Sequence, residues 1–388
     1  MNAPVADEFG WSRSQVALGF TFLAVAMAVI SPFVGRLTDN RGPRQVLIIG
    51  TVVLSLSLLL LSRTSALWSF CLLHAGLGMA SALLGAVPIS VIISNWFHRL
   101  QGTMQGISFI GIGFGGVVFG PLTGNYLIPN FGWRGAYLVT GLLSAIIMTL
   151  VIAFPVKNHP RDKGLTPYGA EATEITDNNE SEPVKIPGLT LKKVLGMSVF
   201  WLIALTFGIY GIGLTGSIQN LVSIVTSQEF TAGQAAFVIG IIGLFSAAGK
   251  FVFGYLGDKI DPKYNTAIAY ALTSLSLIAL ALARSIHHLW LYGILVGLGM
   301  GGWAPNTAAL TANYFGWKQY GAILGTIHLI FMAAEAAGPA LVALVFERIG
   351  TYHSILIIIS ILCAAIIPLI LIIKKPRFTF TGENTHQT

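Results

Sequence analysis

Eleven stretches of this chain stay apolar for about 20 residues each, and that feature decides most of what the sequence can fold into. They fall at 16–34, 46–62, 67–92, 103–127, 134–155, 198–225, 233–256, 265–283, 288–311, 320–346 and 354–373. Runs this long and continuous satisfy their backbone groups in lipid as helices, not as the short alternating strands of a barrel. The expected fold class is therefore an all-α membrane protein with eleven transmembrane helices. Of the 388 residues, 54% are apolar and 10% charged, against about 25% charged in a soluble domain. With a mean hydropathy of +0.76, the chain lacks the polar residues to cover a water-soluble enzyme. An aromatic content of 11% excludes intrinsic disorder.

The two cysteines, Cys71 and Cys363, both lie inside apolar runs, so neither a disulfide framework nor a cysteine metal site can be built. No metal or cofactor is expected. The net charge of +7 is spread in short clusters between apolar runs, which fits membrane topology and not a nucleic-acid partner. Met1 to Gln15 is polar, carries Asp7 and Glu8, and lacks the basic start of a signal peptide.

The chain also repeats itself. Gly35-Arg36-Leu37-Thr38-Asp39 recurs as Gly254-Tyr255-Leu256-Gly257-Asp258, and Gln15 as Gln234, at an offset of 219. Asn95, Gln101, Gly120-Pro121 and Gly132 recur as Asn313, Gln319, Gly338-Pro339 and Gly350, at an offset of 218. A parallel duplication of this kind predicts two matched helical bundles around a midplane cavity. The first bundle is placed at 1–156 with five spans and the second at 197–374 with six. Between them, 157–196 is expected to be a solvated, mobile linker holding the acidic run Glu171 to Glu182, and 375–388 a tail. The 198–225 span has no counterpart in the first half, which suggests either that the sequence starts late, the preferred reading, or that five helices in one half work with six in the other. Sixteen Lys and Arg gather on the linker side against five on the other, which assigns linker and tail to the cytoplasm of a multi-pass protein in the cell membrane or an inner membrane.

Gly35 to Arg44 forms a tight turn in which Asp39, with Arg41 and Arg44 nearby, can make charge-assisted contacts in one conformation and break them in another. This segment resembles the G-x-L-x-D-[RK]-x-G-x-[RK] signature of the major facilitator superfamily, with Asn40 in place of the usual basic residue. The weaker copy runs from Gly254 through Asp258 to Lys263. Gly116 to Gly124 is similar to the family's G-x-x-x-G-P-x-x-G pattern, whose glycines let helices approach closely. Phe9 to Arg13, Trp96-Phe97, Pro160 to Gly169 and Ala248 to Gly254 look like the monocarboxylate and oxalate–formate porter branch. The resemblance implies a two-bundle, alternating-access transporter, not an enzyme, with Gly35, Asp39, Arg41, Arg44, Gly254 and Asp258 as its conformational latch. It also implies a small organic anion, a monocarboxylate or dicarboxylate, moved by proton symport or anion exchange, in a monomer.

Lys250 stands where that branch carries a basic residue. It either snorkels to the interface or neutralises a substrate carboxylate in the cavity. Glu335, the one carboxylate deep in any span, is expected to carry a proton, pairing with Lys250 or with the substrate; its alternative is a neutral packing residue. That position is a departure from the branch, which has a small residue there. His328, about two turns before Glu335, is a candidate anion contact or a helix–helix hydrogen bond. His74 lies where many family members have an Arg that serves proton coupling, and imidazole titrates near neutrality. Gln219, Asn220 and Asn306 offer neutral donors to a carboxylate, or serve as glue between helices. Tyr210, Trp303 and Phe331 line a cavity or simply pack. The competing readings are a multidrug exporter of the same fold and a non-transporting membrane sensor.

Overall fold

A computed structural model describes residues 2–169 and 188–376. The acidic run of the linker, Lys185, Arg377 and the rest of the tail lie outside the described residues. Helices dominate: α1 (Asn2–Phe9), α2 (Arg13–Arg41), α3 (Pro43–Leu61), α4 (Leu67–Leu83), α5 (Ala86–Trp96), α6 (Gln101–Pro121) and α7 (Ile128–Ala153) precede the linker. After it come α8 (Leu191–Leu195), α9 (Ser198–Gln219), α10 (Leu221–Ser227), α11 (Ala232–Gly257), α12 (Pro262–Ala281), α13 (Ile286–Gly301), α14 (Trp303–Phe315), α15 (Tyr320–Ile349) and α16 (Tyr352–Ile372). Among the described residues, nine helices are long and apolar enough to cross a membrane, against eleven expected. The difference has two local causes. The π turn at Leu122–Leu127 and the kink at Gly132 join the fourth and fifth expected spans end to end, so the stretch from Val118 to Ala153 counts once. The 288–311 segment breaks at Gly302 into pieces of 16 and 13 residues.

The sequence repeat carries matched local structure in the two halves. Ser12 and Gln15 form a capping box at the start of α2, and Thr231 and Gln234 form the same box at the start of α11. Each box supplies partners for first-turn N–H groups that a helix cannot bond itself. A Cβ on Gly78 would strike the Leu23 carbonyl, and one on Gly297 the Ile242 carbonyl, so α2 against α4 repeats as α11 against α13. Gly132 and Gly350 take φ of 65° and 75° at matching bends, a conformation that costs glycine little.

The halves meet along two seams, α2 on α15 and α6 on α11, and only toward the linker end. There the contacts are backbone to backbone: Gly35 on Gly321, Gly325 on Ser31, Gly102 on Gly254 and Gly106 on Lys250. Farther along, a Cβ on Gly111, Gly115, Gly240 or Gly243 would meet nothing within 4 Å. The molecule is thus a V, closed at the linker end and open at the other.

Both described ends of the linker are tied down, contrary to the expectation of a mobile segment. Tyr168 N–H donates to the Trp96 carbonyl at 2.8 Å, and Leu189 N–H to the Phe315 carbonyl at 2.8 Å. Trp96 and Phe315 end the equivalent helices α5 and α14, whose last carbonyls need partners. The polar start of the chain is also structured. α1 buries Val5 against Leu61, Phe70 and Trp133, and its Glu8 carboxylate accepts from Trp133 Nε1 at 2.6 Å and Arg134 Nη2 at 2.8 Å. The Arg134 guanidinium, and then the Trp133 indole, hold Glu8 below the usual carboxylate range. A lowered pKa means the tether is complete above the ordinary carboxylate range and is lost as pH falls through the lowered value. Hydrogen exchange over Asn2–Phe9, corrected for its intrinsic pH dependence, should therefore accelerate in acid, and Glu8→Gln should remove that step. An unchanged step in Glu8→Gln would assign it elsewhere.

Candidate functional site

The two signature aspartates do the same thing at symmetric places. Asp39, near the end of α2, accepts from the N–H groups of Gly321 at 2.8 Å and Ala322 at 2.9 Å. Asp258, at the end of α11, accepts from Gly102 N–H at 2.7 Å, Thr103 N–H at 2.8 Å and Thr103 Oγ1 at 2.6 Å. Each carboxylate thus caps the first turn of a helix in the other half. Neither α6 nor α15 has a side-chain cap of its own. Negative charge at a helix N-terminus gains from both the free N–H groups and the helix dipole. The glycines beside these pairs permit the approach: a Cβ on Gly254 would drive into the Gly102 carbonyl, and one on Gly35 into that of Gly321. Arg44 works elsewhere, donating to the carbonyls of Ile152 at 3.4 Å and Ala153 at 2.8 Å and so closing the end of α7 within its own half. Arg41 is exposed.

One turn above Gly254, at the floor of the V, sits Lys250. It is 8% exposed, and among the described residues it makes no hydrogen bond or ion pair. Its backbone is wedged between Gly106 of α6 and Gly301 at the end of α13. The expected pairing with Glu335 is not made, for a reason of depth. Lys250 stands seven residues from the linker end of α11, roughly 10 Å up, and Glu335 fifteen residues into α15, roughly 22 Å up. His328, eight residues into α15, shares the level of Lys250, roughly 12 Å up. It is 2% exposed and its Nε2 is buried without a partner. The His328 ring lies 5.1 Å from that of Trp303, which stacks on Phe331 at 5.0 Å and 10°.

The other candidates separate from this cluster. Asn306 Oδ1 accepts from Asn265 Nδ2 at 2.8 Å inside the second half. Asn220 Nδ2 donates to the carbonyls of Gly216 and Pro339 and joins α9 to α15, while Gln219 is exposed. Glu335 lends its backbone carbonyl to Thr215 Oγ1 at 2.6 Å, and among the described residues its carboxylate has no hydrogen-bond partner. His74 is in the first half, packed on Gly19, with Nδ1 at 2.8 Å from the Phe70 carbonyl. Tyr210 is committed to the Gly299 carbonyl at 2.5 Å. Sequence reasoning did not find the Gly249 and Gly301 contact that brings Lys250 to the α13–α14 break. The signal was there in glycine beside a membrane lysine and in Gly301-Gly302 ahead of a tryptophan.

Comparison with known proteins places this geometry. The family model described as Major Facilitator Superfamily matches residues 1–294 and 244–385. An "MFS-type transporter" of Gibberella moniliformis is 26% identical over 84% of this chain and 74% of its own length. The multidrug resistance protein MdtG of Dickeya zeae is 26% identical over 88% of this chain and 79% of its own. In structure, the fucose:proton symporter FucP of E. coli aligns with a TM-score of 0.71 at 14% identity, over 95% of this chain and 93% of that one.

Proposed function

The chain belongs to the Major Facilitator Superfamily, and on that premise we propose that it carries a small organic anion across the membrane by alternating access. The protein is a multi-pass membrane transporter, not an enzyme. The anion reading rests on Lys250, a lysine buried at the seam between the halves with no counter-ion among the described residues. Taking an ammonium out of water costs several kcal/mol unless something pairs with it, and ionisable residues at membrane depth mark ligand and ion pathways. In this reading a substrate carboxylate supplies the missing partner at the floor of the V. The linker side is cytoplasmic, so the open end faces outward. Asp39 and Asp258 hold that state, and rocking of the halves transfers closure to the other end. His328 completes the anion site, and Glu335 is the proton carrier of a symport cycle, with His74 as a second candidate.

A second reading, export of cationic organic compounds, draws on the unpaired Glu335 carboxylate and on the multidrug relative. Purified protein in proteoliposomes separates the two. Labelled oxalate and succinate, both impermeant at neutral pH, should be taken up, while a cationic dye is not. Lys250→Gln is expected to bring anion uptake to background without lowering the unfolding temperature, because it removes a buried unpaired charge; Lys250→Arg should keep part of the rate. Wild-type uptake by Lys250→Gln would sink the anion site, and dye transport dependent on Glu335 would favour the second reading.

A further inference from the structure

The floor of the V carries more than a charge. Trp303 is half-buried at the first turn of α14 and lies flat against Phe331, with the edge of His328 beside it. The His328 Nε2 is buried without a hydrogen-bond partner. Buried polar groups are bonded in the great majority of cases, so this orphan, at the level of the unpaired lysine, points to a ligand group that would bond it. Depth gives it a direction. Lys250 and His328 lie roughly 10–12 Å above the linker end, and Phe331 and Trp303, eleven and twelve residues from theirs, roughly 16–18 Å. Charge is at the bottom and the ring wall lies one turn nearer the opening. The break at Gly302 creates the wall, because it ends α13 and restarts α14 with Trp303 at its first position.

We propose that the preferred substrate is an aromatic carboxylate, bound with its carboxylate on Lys250 and its ring against the half-buried Trp303, which the buried Phe331 backs. This rests on the anion reading above and adds the chemistry of the rest of the molecule. Offset or edge-to-face contact with a ring gives attraction beyond burial of area, whereas a saturated ring of equal size has only its area to offer. The N–H donors of Trp303 and His328 suit the carboxylate oxygens or a ring hydroxyl.

The test is titration calorimetry on the full chain in nanodiscs with benzoate, cyclohexanecarboxylate and propionate. Benzoate is expected to bind about five- to tenfold more tightly than cyclohexanecarboxylate, and propionate more weakly than both. Trp303→Leu should erase the difference between the two rings, Trp303→Phe should keep most of it, and Lys250→Gln should weaken all three together. Equal affinity for the two rings in the wild type, or a Trp303→Leu variant that retains benzoate preference, would overturn the ring wall while leaving the anion site standing. If none of the three binds, or all bind without dependence on Lys250, the anion reading falls and the ring proposal with it. Elution as a single species and an unchanged unfolding temperature exclude misfolding of the leucine variant, and Trp303→Phe reads the same preference with the packing kept.

Discussion

Replacing Asp39 and Asp258 together by alanine is expected to abolish transport and to reverse which end of the molecule is open. The two carboxylates accept five hydrogen bonds across the seams, and their partners are first-turn groups of α6 and α15 with no other side-chain cap. A hydrogen bond to a charged group is worth about 1.5–3 kcal/mol net. Counting one such bond per aspartate, each loss shifts the balance away from closure at the linker end by at least about tenfold, and both together by about a hundredfold. In the other state the free N–H groups are wet and bond to water, so the variants tax only the closed form. Asn at either place keeps an acceptor and loses the charge, and should fall between.

Thiol labelling reads this directly. Cys71 and Cys363 are buried, which leaves a quiet background. A cysteine at Ala309 reports the linker-end pocket of about 580 Å³ that also exposes His98, Gln101, Lys259 and Asn313. A second, at Gly111, reports the open arm of the V, where it meets nothing within 4 Å. In the double alanine variant the first should label at least about tenfold faster and the second more slowly. No change at either position would mean that the aspartates are caps without a role in the balance.

How much of this was legible beforehand depends on which partner a residue uses. Gly35, Asp39, Gly254 and Asp258 announce themselves by recurring at one offset, and the eleven apolar runs all lie on helices. What Asp39 and Asp258 bind could not be read, because four of their five partners are backbone N–H groups, of Gly321, Ala322, Gly102 and Thr103, which every sequence has, and the fifth is the Thr103 hydroxyl. Arg44 shares the signature with Asp39 yet closes α7, since its reach is set by where Ile152 and Ala153 end. The expected Lys250 and Glu335 pair failed on depth: α11 and α15 run in opposite directions, so spacing along either helix says nothing about level until both ends are placed. The convergence of Lys250, Trp303 and His328 comes from three helices and one break at Gly302, and no local periodicity records it. Asn220 and Asn306, which the sequence leaves as either donors or glue, are each hydrogen-bonded within the second half.

The second large effect comes from one substitution made at two glycines, with opposite outcomes. Gly301→Val would drive a side chain into the backbone of Gly249 and Lys250, and Gly254→Val into that of Gly102 and Gly106. Locally the two insults are alike, since backbone atoms cannot turn aside as a side chain can. Gly301 and Gly249, however, belong to the same half, and α11 and α13 stay packed throughout the cycle. The collision is present in every folded state, and overpacking that costs about 3 kcal/mol or more should lower the unfolding temperature by roughly 5–10 °C, with poor accumulation of the protein. Gly254 and Gly102 face each other across the seam and collide only while the linker end is closed. Opening that end relieves the clash, so Gly254→Val is expected to unfold within roughly 3 °C of the wild type while transport drops below about 1%. Its Ala309→Cys reporter should behave as in the double alanine variant. Thermal unfolding and uptake measured on both variants decide the matter: equal destabilisation of the two would show that the seam is a permanent contact, and the V a fixed shape.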